Sequence, residues 1–351
     1  MTAELDPGAG GREAVSIRAV AQRAHVSPAT VSRVLNGSAS VKADSRQRVL
    51  DAVAQLQYRP NRLARNLRRQ QVDMIAVVVS DIANPHFSEA VRVIEDEAFK
   101  AGYRVLLCNT DETADKQQAY LEMMAAERVL AAIVSPADAQ ATGVDALLSL
   151  GIPVVAFDRM IEDERADAVV GANVEGLRRA TEHLIWLGHE RIAYIGGRTD
   201  VETGAERLEG YMVAMRAAGH VPFALDGGFS TEGAERAVDD LLTQTERPTA
   251  LVVANNLMTL GALRALRRAK IRVPAEVALV AVDDPPWAEL VDPPVTTVAQ
   301  PVRRMARTAM QLVLERLEGR RVEARRVVLP LELRVRRSCG ARSEAQDGSS
   351  S

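Results

Sequence analysis

The sequence is poor in the groups from which most catalytic, metal and membrane sites are built. Of 351 residues only Cys108 and Cys339 are cysteine, which excludes a disulfide framework and a four-cysteine zinc site. The histidines, at 25, 86, 183, 189 and 220, lack metal-ligand spacing. There is no P-loop, no G-x-S-x-G elbow and no G-x-G-x-x-G, since the GGR at 196–198 falls short of it. Neither catalysis nor a metal or cofactor is therefore expected. No apolar run approaches the ~18 residues of a membrane span. The opening MTAELDPGAGGREAVS carries acids, Pro and Gly where a secretory signal needs a basic and then an apolar stretch. A cytoplasmic protein without a membrane partner is expected. Aromatic residues make up only 3% of the chain, so each one beside a polar cluster is informative.

What is present is unevenly distributed. The formal charge is −3. Residues 1–72 nonetheless hold 12 Lys and Arg against 5 Asp and Glu, leaving 32 against 42 for the rest. From 15 to 72 alone the count is 11 against 2. A basic head on an acidic body is the asymmetry of a nucleic-acid arm.

The texture of the chain changes at the same place. Residues 1–15 are Gly-rich without apolar period and read as a disordered leader. IRAVAQRA, PATVSRVLN and ADSRQRVLDAVAQLQ then repeat apolar residues at three-to-four spacing, the period of short amphipathic helices. After Asp73, short β-branched strands alternate with helical stretches. They are MIAVVV (74–79), RVLLC (104–108), LAAIV (130–134), PVVAF (153–157), RIAYI (191–195), ALVVA (250–254) and VALVAV (277–282). This pattern predicts parallel sheets covered on both faces, in two α/β lobes separated by a break near 158–175. RVVLPLELRV (326–335) alternates like one more strand, returning to the second lobe.

In the head, IRAVAQRA ends at Ala24, His25 and Val26 form a tight turn, and Ser27 begins another helix. Ser27 is a good N-cap, and Pro28 suits the first helical position, where an N–H is not needed. Ala21 allows two helices to cross closely. Val26, Val31 and Val34 are spaced to pack inward, which turns Pro28, Ala29, Ser32 and Arg33 outward. This is a helix-turn-helix spacing.

Two motifs make it more specific: SPATVSRVLNG at 27–37 and YRPNRLARNL at 58–67. Together they resemble the LacI/GalR family of bacterial transcription regulators, and the lobes extend the resemblance from about Val15 to Ser338. The resemblance implies a DNA-binding surface that includes Ser27. Pro28, Ala29 and Arg33 match positions that read major-groove base edges, where the arginine fork can bridge guanine O6 and N7. Thr30, Ser32 and Asn36 match positions that face phosphates. NRLARNL, opened by Asn61, looks like the family's hinge helix. Leu67 stands where a leucine wedges a base step apart in the minor groove, and Leu63 and Ala64 lie on the helix–helix face. Two positions depart from the pattern. His25 replaces the usual turn glycine, and Lys42 stands where a capping serine is common.

The resemblance also implies a body like that of periplasmic binding proteins, with a ligand beyond the carboxyl ends of the strands. Reading off those ends gives DIANPHF (81–87), FDR (157–159), GGRTDVETGAER (196–207), ANN (254–256) and VDD (282–284). Within or near them, Phe87, Asp158, Arg159, Thr203, Arg207, Phe229, Asn255 and Asp283 match the family's effector-binding positions. Fixed Asp, Asn and Arg groups beside aromatic walls suit a polyhydroxylated ligand.

The expected fold class is thus α/β, with a small all-α helix-turn-helix head and a two-lobed, doubly wound, periplasmic-binding-protein-like sensor. The expected boundaries are a leader over 1–15, the head over 16–60, a hinge over 61–72 and the sensor over 73–338. Its lobes take 73–172 with 299–322, and 173–298 with 323–338, before a disordered tail at 339–351. The expected function is that of a repressor binding double-stranded, near-palindromic operator DNA as a homodimer. A small-molecule effector, a sugar or sugar derivative, controls it from the interlobe cleft. A purine- or nucleoside-responsive regulator on the same scaffold, or a stand-alone solute-binding protein, are the alternatives. The tail lacks leucine heptads for a four-chain bundle.

Overall fold

The computed structural model describes residues 16–35, 41–56, 73–138, 140–320 and 323–341, and the chain divides into two units after Gln70. In the first unit Ser16 caps helix α1 (Ile17–Ala24), its hydroxyl accepting from the Ala19 N–H at 3.3 Å. His25 ends that helix at φ 52° and ψ 47°, the left-handed conformation a glycine would have adopted without strain. Ser27 begins α2 (Pro28–Leu35), its Oγ accepting from the Thr30 N–H at 3.2 Å. Helix α3 (Ala43–Gln55) starts at Lys42, whose side chain makes no capping bond. Val20, Ala21, Ala24, Val31, Val34, Val49 and Ala52 form the common core, with Val26 packed against it. Asn36 and the hinge residues Asn61, Leu63, Ala64 and Leu67 lie outside the described residues.

The second unit contains two six-stranded sheets, their strands numbered in chain order. The first holds β1 (Met74–Val79), β2 (Arg104–Asn109), β3 (Ala131–Val134), β4 (Val154–Phe157), β5 (Asp167–Gly171) and β11 (Arg326–Leu329). Their order is β2-β1-β3-β4-β5-β11, parallel throughout. Alternation along β1 feeds two cores. Ile75, Val77 and Val79 pack with helices Pro85–Lys100 and Val302–Leu317. Ala76 and Val78 pack on the opposite face with helices Ala114–Glu127 and Val144–Leu148.

The second sheet holds β6 (Ile192–Gly196), β7 (Phe223–Asp226), β8 (Ala250–Val253), β9 (Ala278–Val282), β10 (Thr296–Ala299) and β12 (Glu332–Arg334). Its order is β7-β6-β8-β9-β10-β12, parallel except for β12 against β10. The chain crosses between lobes at Ala172, at Gln300–Pro301 and at Pro330–Leu331. The crossings run side by side. A Cβ on Gly171 would come within 2.8 Å of Leu331 Cδ1 and 3.3 Å of Gln300 Oε1, so any larger residue there would have to displace side chains of both other crossings.

Three sequence expectations need correction. Residues 158–175 are not merely a break, because they contain β5, a short strand with buried DAVVG. RVVLPLELRV is not one strand of the second lobe. Pro330 interrupts it, so β11 completes the first sheet and β12 the second, and 323–329 belong with the first lobe. The ordered chain also runs past 338. Cys339 is fully buried in the second lobe's core, which moves the start of the tail beyond it.

Candidate functional site

Between the lobes, at the carboxyl ends of both sheets, lies a cavity of about 280 Å³. All eight residues singled out from the strand ends line it: Phe87, Asp158, Arg159, Thr203, Arg207, Phe229, Asn255 and Asp283. Asp81, Asn84, His86, Asp111, Glu112, Ser230, Leu257 and Gln300 join them. The backbone is unusual here. Asp111, Glu112, Asp158, Phe229 and Asp283 all have positive φ, between 51° and 72°. They are five of the nine non-glycine residues in that conformation among the described residues, so backbone strain concentrates at this cavity.

Asp158 follows β4 and is buried. His86 Nε2 lies 3.3 Å from its Oδ1, while His86 Nδ1 lies 3.9 Å from Asp283 Oδ1. Burial disfavours charge on both side chains, but their opposite signs outweigh it. His86 is raised above 6.5 by Asp158 and Asp283. Asp158 is held down at about 2 by His86, Arg207 and Arg159.

Asp283, after β9, is heavily engaged. Gln300 Nε2 donates to its Oδ1 at 2.8 Å, and Asn256 donates to its Oδ2 from Nδ2 at 3.0 Å and from its backbone N–H at 3.3 Å. The same Asn256 Nδ2 donates across the cleft to Asn84 Oδ1 at 2.8 Å. Asn84 also caps helix Pro85–Lys100 by accepting from the His86 N–H. One amide thus ties the helix that carries His86 to the opposite lobe.

Arg207 is buried on helix Glu202–Ala217, rather than solvated at its start. Its Nε donates to Asn173 Oδ1 at 2.9 Å and its Nη1 to Ala254 O at 2.8 Å. Asn255 caps helix Asn256–Arg268, its Oδ1 accepting from the Met258 N–H at 2.7 Å. Arg159 is buried too. Its two terminal nitrogens donate to the two Glu112 oxygens, both at 2.7 Å, and Nη1 also reaches Pro136 O at 2.9 Å. Burial opposes the Arg159 charge, but Glu112 more than restores it. Further bonds span the lobes. Glu202 accepts from the Met160 N–H at 2.6 Å, and Arg198 Nη1 donates to Glu112 O at 3.2 Å.

Sequence reasoning missed Asn84, His86, Glu112 and Gln300. The first two lie inside the strand-end segment DIANPHF and could have been taken with Phe87. Gln300 sits on a crossing, and Glu112 reaches Arg159 across 47 residues; neither has a local signal. His183 and His189 contact Cys339 and Thr249 in the second lobe. No group of His, Cys, Asp or Glu able to hold a metal ion occurs among the described residues. No helix among them is long and apolar enough to cross a membrane.

On α2, Ser27, Pro28, Ala29 and Arg33 are exposed, while Thr30 and Ser32 are half-buried. The Thr30 hydroxyl lies 2.9 Å from Ser27 Oγ. Arg33 makes no ion pair among the described residues, which leaves its guanidinium fork available on the outer face.

Comparison with known proteins agrees with both units. Residues 16–61 match the bacterial regulatory proteins of the lacI family, and 181–339 match the periplasmic binding protein-like domain. The HTH-type transcriptional repressor PurR of Photobacterium profundum is 33% identical over 327 residues, covering 92% of this chain and 98% of that protein. The lac repressor dimer bound to operator and the anti-inducer ONPF superposes with a TM-score of 0.83 at 29% identity, over 94% of this chain and all of that one. The transcriptional regulator CelR in complex with cellobiose gives 0.69 at 32% identity, over 92% and 99%.

Proposed function

This chain belongs to the LacI family of bacterial regulatory proteins, and on that premise we infer how its two units divide the work. It is a sequence-specific DNA-binding transcription regulator of the repressor kind, not an enzyme. The head over 16–60 reads operator DNA through the outer face of α2. Arg33 supplies direct readout of base edges, Pro28 and Ala29 give apolar contact, and Ser27, Thr30, Ser32 and Asn36 fix the register on phosphates. Asn61, Leu63, Ala64 and Leu67 form the hinge, with Leu67 as the wedge. A homodimer places two such heads on a near-palindromic site in the cytoplasm.

The effector occupies the interlobe cavity, and we assign its class as polyhydroxylated, a sugar or sugar derivative. The observation that carries this reading is the cavity's polar walls. Asp158, Asp283, Arg159, Arg207 and Asn255 bring fixed acceptors and donors to one space from both lobes. Vicinal hydroxyls are both donors and acceptors and complement such walls, whereas an apolar ligand would desolvate them without adding a partner. The cellobiose complex of the CelR neighbour supports the same class. A purine or nucleoside effector is the second reading, kept by the relatives that carry the name PurR.

Effector binding acts by population shift: the ligand favours one arrangement of the lobes and thereby the population competent for DNA. A thermal-shift screen of sugars, sugar acids, polyols, nucleosides and purine bases tests the effector class. A ligand at about 100 times its dissociation constant stabilises by ~2.7 kcal/mol, which is readable as a rise in Tm. Sugars or polyols should give the rise; a rise with purine bases alone would reverse the assignment.

A further inference from the structure

The cavity has two aromatic walls, yet the structure leaves neither with an open ring face. Phe229 follows the positive-φ Gly228 and is itself at φ 54°. A Cβ on Gly197 would lie 2.1, 2.2 and 2.4 Å from Phe229 Cε1, Cζ and Cδ1. Three near-equal distances place that point above the ring face rather than beyond its edge. One face of Phe229 therefore lies flat on the Gly197 backbone, which is why position 197 has no side chain. The Arg159 guanidinium sits over the same ring with Cζ 5.4 Å from the centroid, within cation–π range. With Gly197 filling one face at contact distance, the guanidinium takes the other. Phe87 is 3% exposed and packs against His86 in a T-shaped contact at 5.0 Å.

We propose that Arg159, clamped by Glu112, is a specificity-determining residue that covers Phe229 and excludes flat heteroaromatic ligands from the cavity. The proposal deepens the effector reading above and rests on it. The cover is fixed from several sides. Glu112 grips both terminal nitrogens of Arg159, and Pro136 O takes a third bond. Arg198, from the opposite lobe, holds the Glu112 backbone. A base that stacked on Phe229 would have to break this bidentate pair and leave the buried Arg159 guanidinium and the half-buried Glu112 carboxylate without each other. The buried Arg159 Nε has no hydrogen-bond partner among the described residues, so the side chain is held through its two terminal nitrogens alone. The clamped side chain thus closes the stacking surface.

The test is a fluorescence titration with 2-aminopurine, whose emission is quenched on stacking, against the full-length wild type, Arg159→Ala and Glu112→Gln. The wild type should show no saturable quench. Arg159→Ala, folded by circular dichroism, should bind at least about tenfold tighter than wild type, as uncovering one stacking face allows. Glu112→Gln, which keeps the shape but weakens the clamp, should gain less than Arg159→Ala but measurably. Saturable quenching by the wild type equal to that of the variants would overturn the proposal, as would folded Arg159→Ala without a gain. If Arg159→Ala does not fold, Glu112→Gln decides alone: a gain supports the cover and no gain overturns it. Running the sugar and polyol screen on the wild type separates the two readings. Sugars failing while the variants gain 2-aminopurine faults the effector class and leaves the cover standing. Sugars binding while the wild type also stacks 2-aminopurine faults the cover alone.

Discussion

His86 Nε2 lies 3.3 Å from Asp158 Oδ1 with both side chains almost wholly buried, and Asp283 approaches the other ring nitrogen at 3.9 Å. An imidazole that takes up its proton between two carboxylates links the stability of the sensor to pH. His86 is raised above 6.5, so its contribution is complete below 6.5 and is lost as pH rises through the higher folded value. Asp158 is lowered from 3.8 to about 2, so its contribution is complete above 3.8 and is lost as pH falls through about 2. The pair therefore stabilises most between about 4 and 6.5. Tm measured against pH should show the wild-type advantage over His86→Gln shrinking as pH rises above 6.5. A difference that stays flat from pH 5 to 9 would contradict the pairing.

Asp158→Asn should be costly, because it leaves His86 and Arg207 facing a neutral group in a buried site. Removing one partner of a buried pair costs roughly 3–5 kcal/mol. Urea unfolding of the full chain measures it, and a loss under about 1 kcal/mol would mean that Asp158 is solvated in solution.

Arg207→Lys is not a conservative change here. A lysine keeps the charge but cannot hold Asn173 and Ala254 O at once with a planar fork. We expect about tenfold or greater loss of effector affinity, from an interaction worth ~1.5–3 kcal/mol, by calorimetry with the ligand found in the thermal screen. Unchanged affinity would place Arg207 outside the effector's contacts.

On the DNA side, Arg33→Ala should cost ~1–3 kcal/mol at the operator and relax the preference at a single base pair. Leu67→Ala should weaken operator binding far more than non-specific binding, since the wedge acts only where the duplex is opened. Anisotropy titrations on operator and scrambled duplexes separate the two; equal losses on both would count against base readout and wedge alike. Ser27→Ala removes the cap on Thr30 and should lower head stability by ~1 kcal/mol.

Much of the fold and of the site is legible in the sequence, for reasons that differ by residue. Ser27, Pro28 and the valines of α2 announce themselves through local rules: caps, the first helical position and helical period. Strand ends were legible because open α/β sheets place ligands there, which is why Asp158, Arg207, Asn255 and Asp283 meet at one cavity. Tertiary pairing was not. Nothing local to Glu112 says that it will clamp Arg159, and nothing about Gln300 says that a lobe crossing will aim it at Asp283. Strand β5 hid because five residues beside an acidic loop carry too little period. The split at Pro330 was visible as a proline, yet its meaning depended on which sheet each half would join.

A small molecule in the cavity is expected to govern sequence-specific DNA binding by the same chain. The most direct test is the affinity for a duplex from the protein's own promoter region against a scrambled duplex, with and without the ligand found by thermal shift. The account predicts preferential binding to the promoter duplex, a change of at least about tenfold on adding ligand, and loss of that change in Arg207→Lys. Equal affinity for both duplexes, or binding indifferent to a ligand that demonstrably occupies the cavity, would contradict it.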